Sequence, residues 1–368
     1  METTLTDVIN RKLESKLNLG KERVQDLIIR LQNEIDSTRD FITPFTRKNN
    51  DVTFINDGGV RMKFQNENVP FAIHAHALGQ MAAKIDIPSS YLRELATGDE
   101  EHRDLAVKIL SSHKNWTEED RRLLIRSVDH EVRGVLSDSY KRLNSKMILN
   151  QFFNTVKSSE ARVADAHYTD TKFWIEALIP YVLAIPTEMN GMAHVVFGVR
   201  LGNSDFGDGS LDIRSFMMQP VCTNGMVRES LMNKVHLGKK LPDNIALSNE
   251  TYMYESKMIT SAVKDVTMLA LDSKQIRENV AMITKAGSTG VNLEREFLNL
   301  ATKQITKNEI VEISKIMSQD NPEDGIFGEA SLWKLTQGIT AHGRNIGGRR
   351  EREMAQLAGE LLQRVKVA

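Results

Sequence analysis

The segment from His194 to Lys240 constrains the fold of this chain more than any other part of the sequence. Two runs with the alternation of β-strands flank a polar tip, 202–209, that is rich in glycine, asparagine, serine and aspartate. Such a tip between alternating runs predicts a long β-hairpin. A second tight turn at Asn224 and Gly225 then predicts a short basic helix over 225–235. The hairpin places an antiparallel sheet at the centre of the predicted fold.

Strand-like and helical segments are grouped along the chain and do not alternate. This grouping favours an α+β fold, with a central antiparallel sheet built of hairpins, over a doubly wound parallel sheet. The long hairpin has predicted arms at 193–201 and 210–217. Two more hairpins are predicted at 52–65 and 123–136, and two strands at 162–167 and 172–179.

The spacing of apolar residues also predicts the helices and the division of the chain. We predict helices at 4–40 (one helix or two, with Gly20 between the halves), 75–112 (broken at Pro88), 145–158, 250–285, 292–303, 307–319, 329–342 and 349–366. The predicted parts are a helical arm at 1–45, an α+β core at 46–240, and a helical C-terminal region at 241–368 that packs on the core. The arm either packs on the core or contacts a partner.

Composition limits the class of protein. With 368 residues, of which 40% are hydrophobic and 26% charged, the chain can bury a sizeable core. A net charge of −1 argues against a polycation but permits a local basic patch. The single cysteine, Cys222, permits no disulfide within the chain and no zinc finger, and it fits a reducing cytosol. The apolar run near 174–185 is too short and interrupted to span a bilayer, so we expect a cytoplasmic protein without a membrane partner.

Four blocks of the sequence resemble a family of bacteria and phages. They are Leu124–Asn144, the helix pair 78–96 with its Ile87-Pro88 break, Gly202–Ser204 followed by Pro220–Val227, and Leu332-Trp333 with Ile339, Thr340 and His342. The family is described as phage/plasmid-like protein, domain of unknown function nine-three-two, and the resemblance covers about 70–365. The order of elements is also similar to single-strand-annealing recombinases of the Rad-fifty-two, RecT and Red-beta kind. The resemblance implies a bacterial host cell, and the family carries no settled activity.

Three clusters of cations are candidates for binding an anionic backbone. A single strand is held by a cationic groove, often with aromatic side chains on which bases stack. The candidate residues are Arg200, Arg214, Asn224, Arg228, Lys234, Lys239 and Lys240 in the first cluster, Arg126, Arg133, Tyr140, Lys141 and Arg142 in the second, and Arg349 and Arg350 in the third. Lys146 extends the second cluster, Arg344 and Arg352 extend the third, and Phe206 is a second candidate for stacking. The alternative is that these cations cover ordinary solvated faces.

No pattern of an enzyme accompanies these clusters. A phosphate-binding lysine loop, a dinucleotide glycine fingerprint and a serine nucleophile elbow are all missing from the sequence. Three weaker sets remain. They are Cys222 with His236 as a thiol–imidazole pair, His74 and His76 with Asp86 or His102 as a metal site, and Asn203, Asp205, Asp208 and Asp212 as oxygen ligands for a hard cation. Each set has a simpler structural explanation, so we expect no catalytic residue, no metal and no cofactor.

The sequence therefore predicts a phage or mobile-element protein that binds single-stranded DNA or RNA. Annealing of single strands, as a step in recombination, is the form of this activity that the resemblance suggests, carried out by a homo-oligomer without ATP. The alternative is an oligomeric interaction, scaffold or anti-defence protein with no nucleic-acid role. Binding that weakens with added salt would distinguish the two.

Overall fold

The structure is a computed structural model, and it describes residues 5–44, 51–112, 122–137, 140, 145–220, 224–234, 249–301, 305–320 and 326–365. Within these residues, two six-stranded sheets and their helices form an α+β fold, as predicted. The helices are α1 (Leu5–Ser37), α2 (Ala75–Lys84), α3 (Ser89–Thr97), α4 (Glu100–Ser112), α5 (Ser145–Ser158), α6 (Asn249–Ala270), α7 (Ser273–Gly287), α8 (Leu293–Ala301), α9 (Lys307–Ser318), α10 (Leu332–Ile346) and α11 (Gly348–Leu362).

The strands divide between the two sheets in chain order. They are β1 (Thr38–Pro44), β2 (Val52–Asn56), β3 (Val60–Phe64), β4 (Phe71–Ile73), β5 (Arg122–Val128) and β6 (Glu131–Ser137) in the first sheet, and β7 (Arg162–Tyr168), β8 (Phe173–Leu178), β9 (Leu183–Thr187), β10 (Gly191–Asn203), β11 (Leu211–Gln219) and β12 (Asn224–Lys234) in the second. The predicted hairpins at 52–65 and 123–136 are confirmed as β2–β3 and β5–β6. The predicted strands at 162–167 and 172–179 are β7 and β8, and the long hairpin is β10–β11.

The first sheet has its own core and its own helices. Its strand order is β1-β5-β6-β4-β3-β2, and the β4–β6 pair is parallel. Residues at alternate positions, such as Met62 and Phe64 on β3, are buried, so one face of this sheet points into the core. That face packs against α2, α3 and α4, which bury Leu92 and Leu110 against it.

The second sheet is covered by helices on both faces. Its strand order is β12-β11-β10-β8-β7, with β9 paired to the first half of β10. Val195, Phe197 and Val199 of β10 point into the main core with helices α5, α6, α7 and α10. Val196 points to the opposite face, in the small core that α1 and α11 share with the sheet. Strands buried on both faces explain the nearly continuous apolar runs of this part of the sequence.

The predicted arm packs against the rest of the chain. α1 is one continuous helix, which is the first of the two alternatives that the sequence left open. Gly20 allows α1 to pack closely on β7, because a Cβ atom at this position would lie 2.3 Å from the backbone carbonyl carbon of Ala164. α1 therefore crosses β7 at close range, and β1, which follows it, pairs with β5 at the edge of the first sheet.

Two helix predictions were wrong. The segment predicted as a short basic helix over 225–235 is the edge strand β12, which pairs along the length of β11. β12 runs antiparallel to β11, and the hydrogen bonds that β11 offers decide the outcome. The helix predicted over 250–285 is two helices, because Asp272 lies between them. Its side chain accepts a hydrogen bond from the backbone N–H of Lys274 and so caps α7.

Candidate nucleic-acid interface

The polar tip of the long hairpin, residues 204–210, joins the two sheets. The hydroxyl of Ser204 is buried and donates to the carbonyl of Thr171 at 2.7 Å. It also accepts from the backbone N–H groups of Phe206 and Asp208, at 3.2 and 2.9 Å. One side chain thus organises the whole turn. The hydroxyl of Ser204 therefore bonds within the protein itself.

The same tip is fastened to the first sheet. The carbonyl of Phe206 accepts from Gln80 at 2.9 Å and lies 3.1 Å from the Nε2 atom of His76. The Phe206 ring is only 5% exposed, so the prediction that it stacks with bases is wrong. The Asp205 carboxylate accepts from Ser145 at the start of α5, at 2.6 Å. These contacts fix the two sheets relative to each other at the hairpin tip.

The second predicted cluster lies at the joint between the two sheets, that is, at the contacts which the hairpin tip makes with both of them. Arg126 is buried and donates two hydrogen bonds to Asp40, at 2.8 and 3.1 Å, and one to the carbonyl of Asp205 at 2.7 Å. Burial acts to lower the pKa of Arg126, but the bonds to Asp40 outweigh it and raise the pKa. A guanidinium held in this way cannot reach a phosphate at the surface, so Arg126 is a structural residue.

The remaining residues of the second cluster give the same result where they are described. Arg133 forms ion pairs with Glu34 and Glu131, both at 2.9 Å. Tyr140 donates its hydroxyl to the carbonyl of Ser204 at 3.1 Å, and burial raises its pKa. Neither side chain is presented to solvent as a groove would require. Lys141 and Arg142 lie outside the described residues.

The third cluster lies at the start of α11. Arg350 donates to both carboxylate oxygens of Glu309, at 2.7 and 2.8 Å, and pairs with Glu353 at 2.6 Å. These bonds raise the pKa of Arg350 and lower that of Glu309 to about 2. Arg349 is exposed and pairs with Glu353 at 2.9 Å. Its single surface ion pair is weak, so Arg349 keeps more freedom to meet an anion than Arg350 does.

The first cluster has its arginines side by side on the second sheet. Arg200 on β10 lies directly opposite Arg214 on β11. Each has a carboxylate partner, Glu176 for Arg200 and Asp212 for Arg214. For Asn224, Arg228 and Lys234 the structure describes only the backbone, which lies in β12 and not in the predicted helix. Lys239 and Lys240 lie outside the described residues.

Beside these arginines, two cations contact one aromatic ring. Trp174 lies on β8, directly opposite Gly202 of β10. The guanidinium carbon of Arg352 on α11 is 4.0 Å from the centre of the Trp174 ring, and the ammonium nitrogen of Lys172 is 5.1 Å from it. A Cβ atom at Gly202 would lie 2.9 Å from the Trp174 ring, so the glycine leaves the space that the ring fills. We name Lys172, Trp174, Arg200, Arg214 and Arg352 together the Trp174 site.

The electrostatics of the Trp174 site differ from those of the other clusters. Lys172 and Arg352 have no carboxylate within 4.0 Å among the described residues. Burial lowers the pKa of Arg352, and the positive charge of Arg200 lowers it further. Burial also lowers the pKa of Lys172. The charges of Asp208 and Asp212 act to raise this pKa, and those of Arg214 and Arg352 act to lower it. Cations that are partly buried, crowded and unpaired would be stabilised by an anion.

The sequence contains one local signal for this site, which lies in the alternation of residues along β8. Alternate residues of a strand share a face. Lys172, Trp174 and Glu176 therefore had to lie on one face of the predicted strand at 172–179. Arg352 was visible only as a member of the third cluster, and nothing local in the sequence places α11 over β8. The folding of the chain thus brings one cation of the third cluster beside two of the first.

The alternative metal sites find no support in the described residues. No group of three histidine, aspartate or glutamate side chains in the described ranges could hold a metal ion. His74 accepts from the backbone N–H of His76, and His102 pairs with Asp99 at 2.6 Å. Asp205 and Asp208 accept hydrogen bonds from hydroxyl groups. Cys222 and His236 lie outside the described residues.

Comparison with known proteins does not show a family for this chain. No protein-family model, no curated protein and no solved structure matches the chain. None of the helices in the described ranges combines the length and the apolar character that crossing a membrane requires. Any function must therefore be argued from the Trp174 site itself.

Proposed function

We propose that this protein binds single-stranded nucleic acid, with the phosphates of the strand at the Trp174 site. The observation that supports this proposal is the pair of cations on the Trp174 ring, Lys172 and Arg352, which lack carboxylate partners in the described residues. A phosphate between them would replace the repulsion between two cations with two attractions. An arginine beside an aromatic ring is also the type of surface on which an unpaired base stacks.

The rest of the site limits how strong the binding can be. Arg200 and Arg214 are neutralised by Glu176 and Asp212, so they add little net charge. With two free cations, each neutralising one phosphate, the salt dependence should be shallow, with a slope of log K against log salt of about −1.4. We therefore expect moderate affinity, and annealing would need several such sites acting together in an oligomer.

The test is a salt titration of binding to a fluorescent oligothymidine, followed by anisotropy. Replacing Lys172→Ala and Arg352→Ala together should weaken binding at low salt and reduce the salt slope to about zero, because both phosphate contacts are lost. Arg352→Lys alone should keep most of the slope and lose affinity, since lysine keeps the charge and loses the planar contact with the ring. Complementary oligonucleotides in the same buffer would then show whether binding leads to annealing.

Lys108→Ala provides the matched control. Lys108 is an exposed cation of α4, on the helices of the first sheet, so its removal changes net charge without touching the site. The double variant removes two positive charges and Lys108→Ala removes one. If Lys108→Ala lowers log K by half as much as the double variant does, binding follows net charge alone and the proposal is contradicted. A wild-type protein that binds no oligonucleotide at low salt would favour the alternative, an interaction protein without a nucleic-acid role.

A further inference from the structure

The outward face of α6 carries two separate apolar clusters. Met253, Tyr254 and Met258 form one cluster near the start of the helix, and Met268 and Leu269 form the other near its end. Their side chains are between 49% and 61% exposed. The opposite face of α6, which includes Ile259 and Val263, is buried in the main core. Exposed apolar side chains grouped on one helix face indicate a contact surface rather than chance exposure.

Three polar residues of the same face are arranged symmetrically about its middle. Ser261 is exposed at the middle of the face. Lys257 lies four residues before Ser261, and Asp265 lies four residues after it. Both are exposed, and neither has an ion-pair partner among the described residues. Four residues are slightly more than one helical turn, so all three lie on the same face.

We propose that this face is an interface between two copies of the chain, in which the two α6 helices pack antiparallel across a two-fold axis at Ser261. In such a pair, each residue meets the residue of the other copy that is equally far from Ser261 on the opposite side. Lys257 then meets Asp265 of the second copy, and the converse pair forms by symmetry. The small side chain of Ser261 permits close approach of the helices at the crossing.

The same symmetry pairs the apolar clusters. Met253 is eight residues before Ser261 and Leu269 eight residues after it, while Tyr254 and Met268 are each seven residues away. Each apolar cluster of one copy therefore meets the other cluster of its partner. Met258 meets Lys264, whose aliphatic stem can cover the thioether while the ammonium stays in water. The face is thus complementary to itself in both charge and apolar character.

The area is large enough for a reversible dimer. Five large side chains that are about half exposed offer about 500 Å² of surface on each copy, if the whole side chain has about 200 Å². Two copies would bury about 1,000 Å² from these residues alone, which reaches the lower range of specific interfaces. A second copy is favoured over an unrelated partner because a copy of α6 itself supplies the matching order of apolar, cationic and acidic positions.

Charge reversal tests this arrangement on the full chain. Lys257→Asp places an aspartate against Asp265 of the second copy, and Asp265→Lys places two lysines against each other. Each variant alone should weaken self-association by roughly tenfold or more, measured by sedimentation equilibrium, because two pairs become repulsive in each dimer. An equimolar mixture of the two variants should recover the wild-type association, since every pair in the mixed dimer is again opposite in charge.

The controls separate this face from others. Lys315→Asp reverses an exposed charge on α9 and should leave association unchanged. Circular dichroism of each variant confirms that the surface changes leave the fold intact. A monomeric wild type at high concentration would overturn the proposal and leave the face to a different partner. Association that persists unchanged in both single variants, or that the mixture fails to restore, would overturn it as well.

Discussion

Ser204 is the residue through which the joint between the two sheets can be tested most directly. Ser204→Ala removes one buried oxygen atom. It takes the hydrogen-bond partner from three groups in a buried turn: the carbonyl of Thr171 and the N–H groups of Phe206 and Asp208. Each buried group without a partner costs about 1–3 kcal/mol, and the turn can relax, so we expect a loss of about 3–5 kcal/mol in the free energy of unfolding.

Equilibrium unfolding in urea measures this loss, with far-UV circular dichroism as the signal. Ser318→Ala is the matched control. Its hydroxyl donates to the carbonyl of Lys315 at the exposed end of α9, at 2.8 Å, and its removal should cost less than about 0.5 kcal/mol. If Ser204→Ala also costs less than about 1 kcal/mol, the turn is not held by this hydroxyl, and the account of the joint is wrong.

Two further predictions concern the tip and the acid stability. Gly207→Ala should cost about 1–3 kcal/mol in thermal or urea unfolding, because Gly207 has a φ of 77° and a Cβ atom there would lie 2.6 Å from Leu136. Hydrogen bonds from Arg350 lower the pKa of Glu309 to about 2. The stability from this pair should therefore be complete above about pH 4.5 and be lost as the pH falls through about 2. Glu309→Gln should remove this part of the acid dependence, and an unchanged pH profile would contradict the assignment.

The sequence predicted most elements of the fold because their signals are local. Hairpins such as β5–β6 contain both strands and their turn within a few residues, and the pattern of a helix such as α5 repeats along its own length. β12 was missed because its pairing with β11 is decided by the strand that it meets and not by its own residues. The break at Asp272 was missed because apolar spacing continues from α6 into α7, while the capping side chain ends the first helix and starts the second.

The arrangement of the two sheets could not be predicted in the same way. The tip at 202–209 shows only that a turn is present. It does not show that Phe206 is buried or that Gln80 and His76 reach its carbonyl. Contacts between residues more than a hundred positions apart leave no periodic trace in one sequence. The polar residues that mark an exposed turn are the same ones that satisfy the backbone of a buried turn.

The balance of charge explains why clusters of cations in the sequence were poor guides to a binding surface. The chain has 48 lysines and arginines and 49 aspartates and glutamates, so a cation that folding brings to a sheet will usually meet an acid. On the strands this happens across the ladder. Arg126 of β5 lies directly opposite Asp40 of β1, and Arg200 of β10 lies directly opposite Glu176 of β8. Lys172 and Arg352 differ from these arginines, because both lie against the Trp174 ring and neither has an ion-pair partner among the described residues.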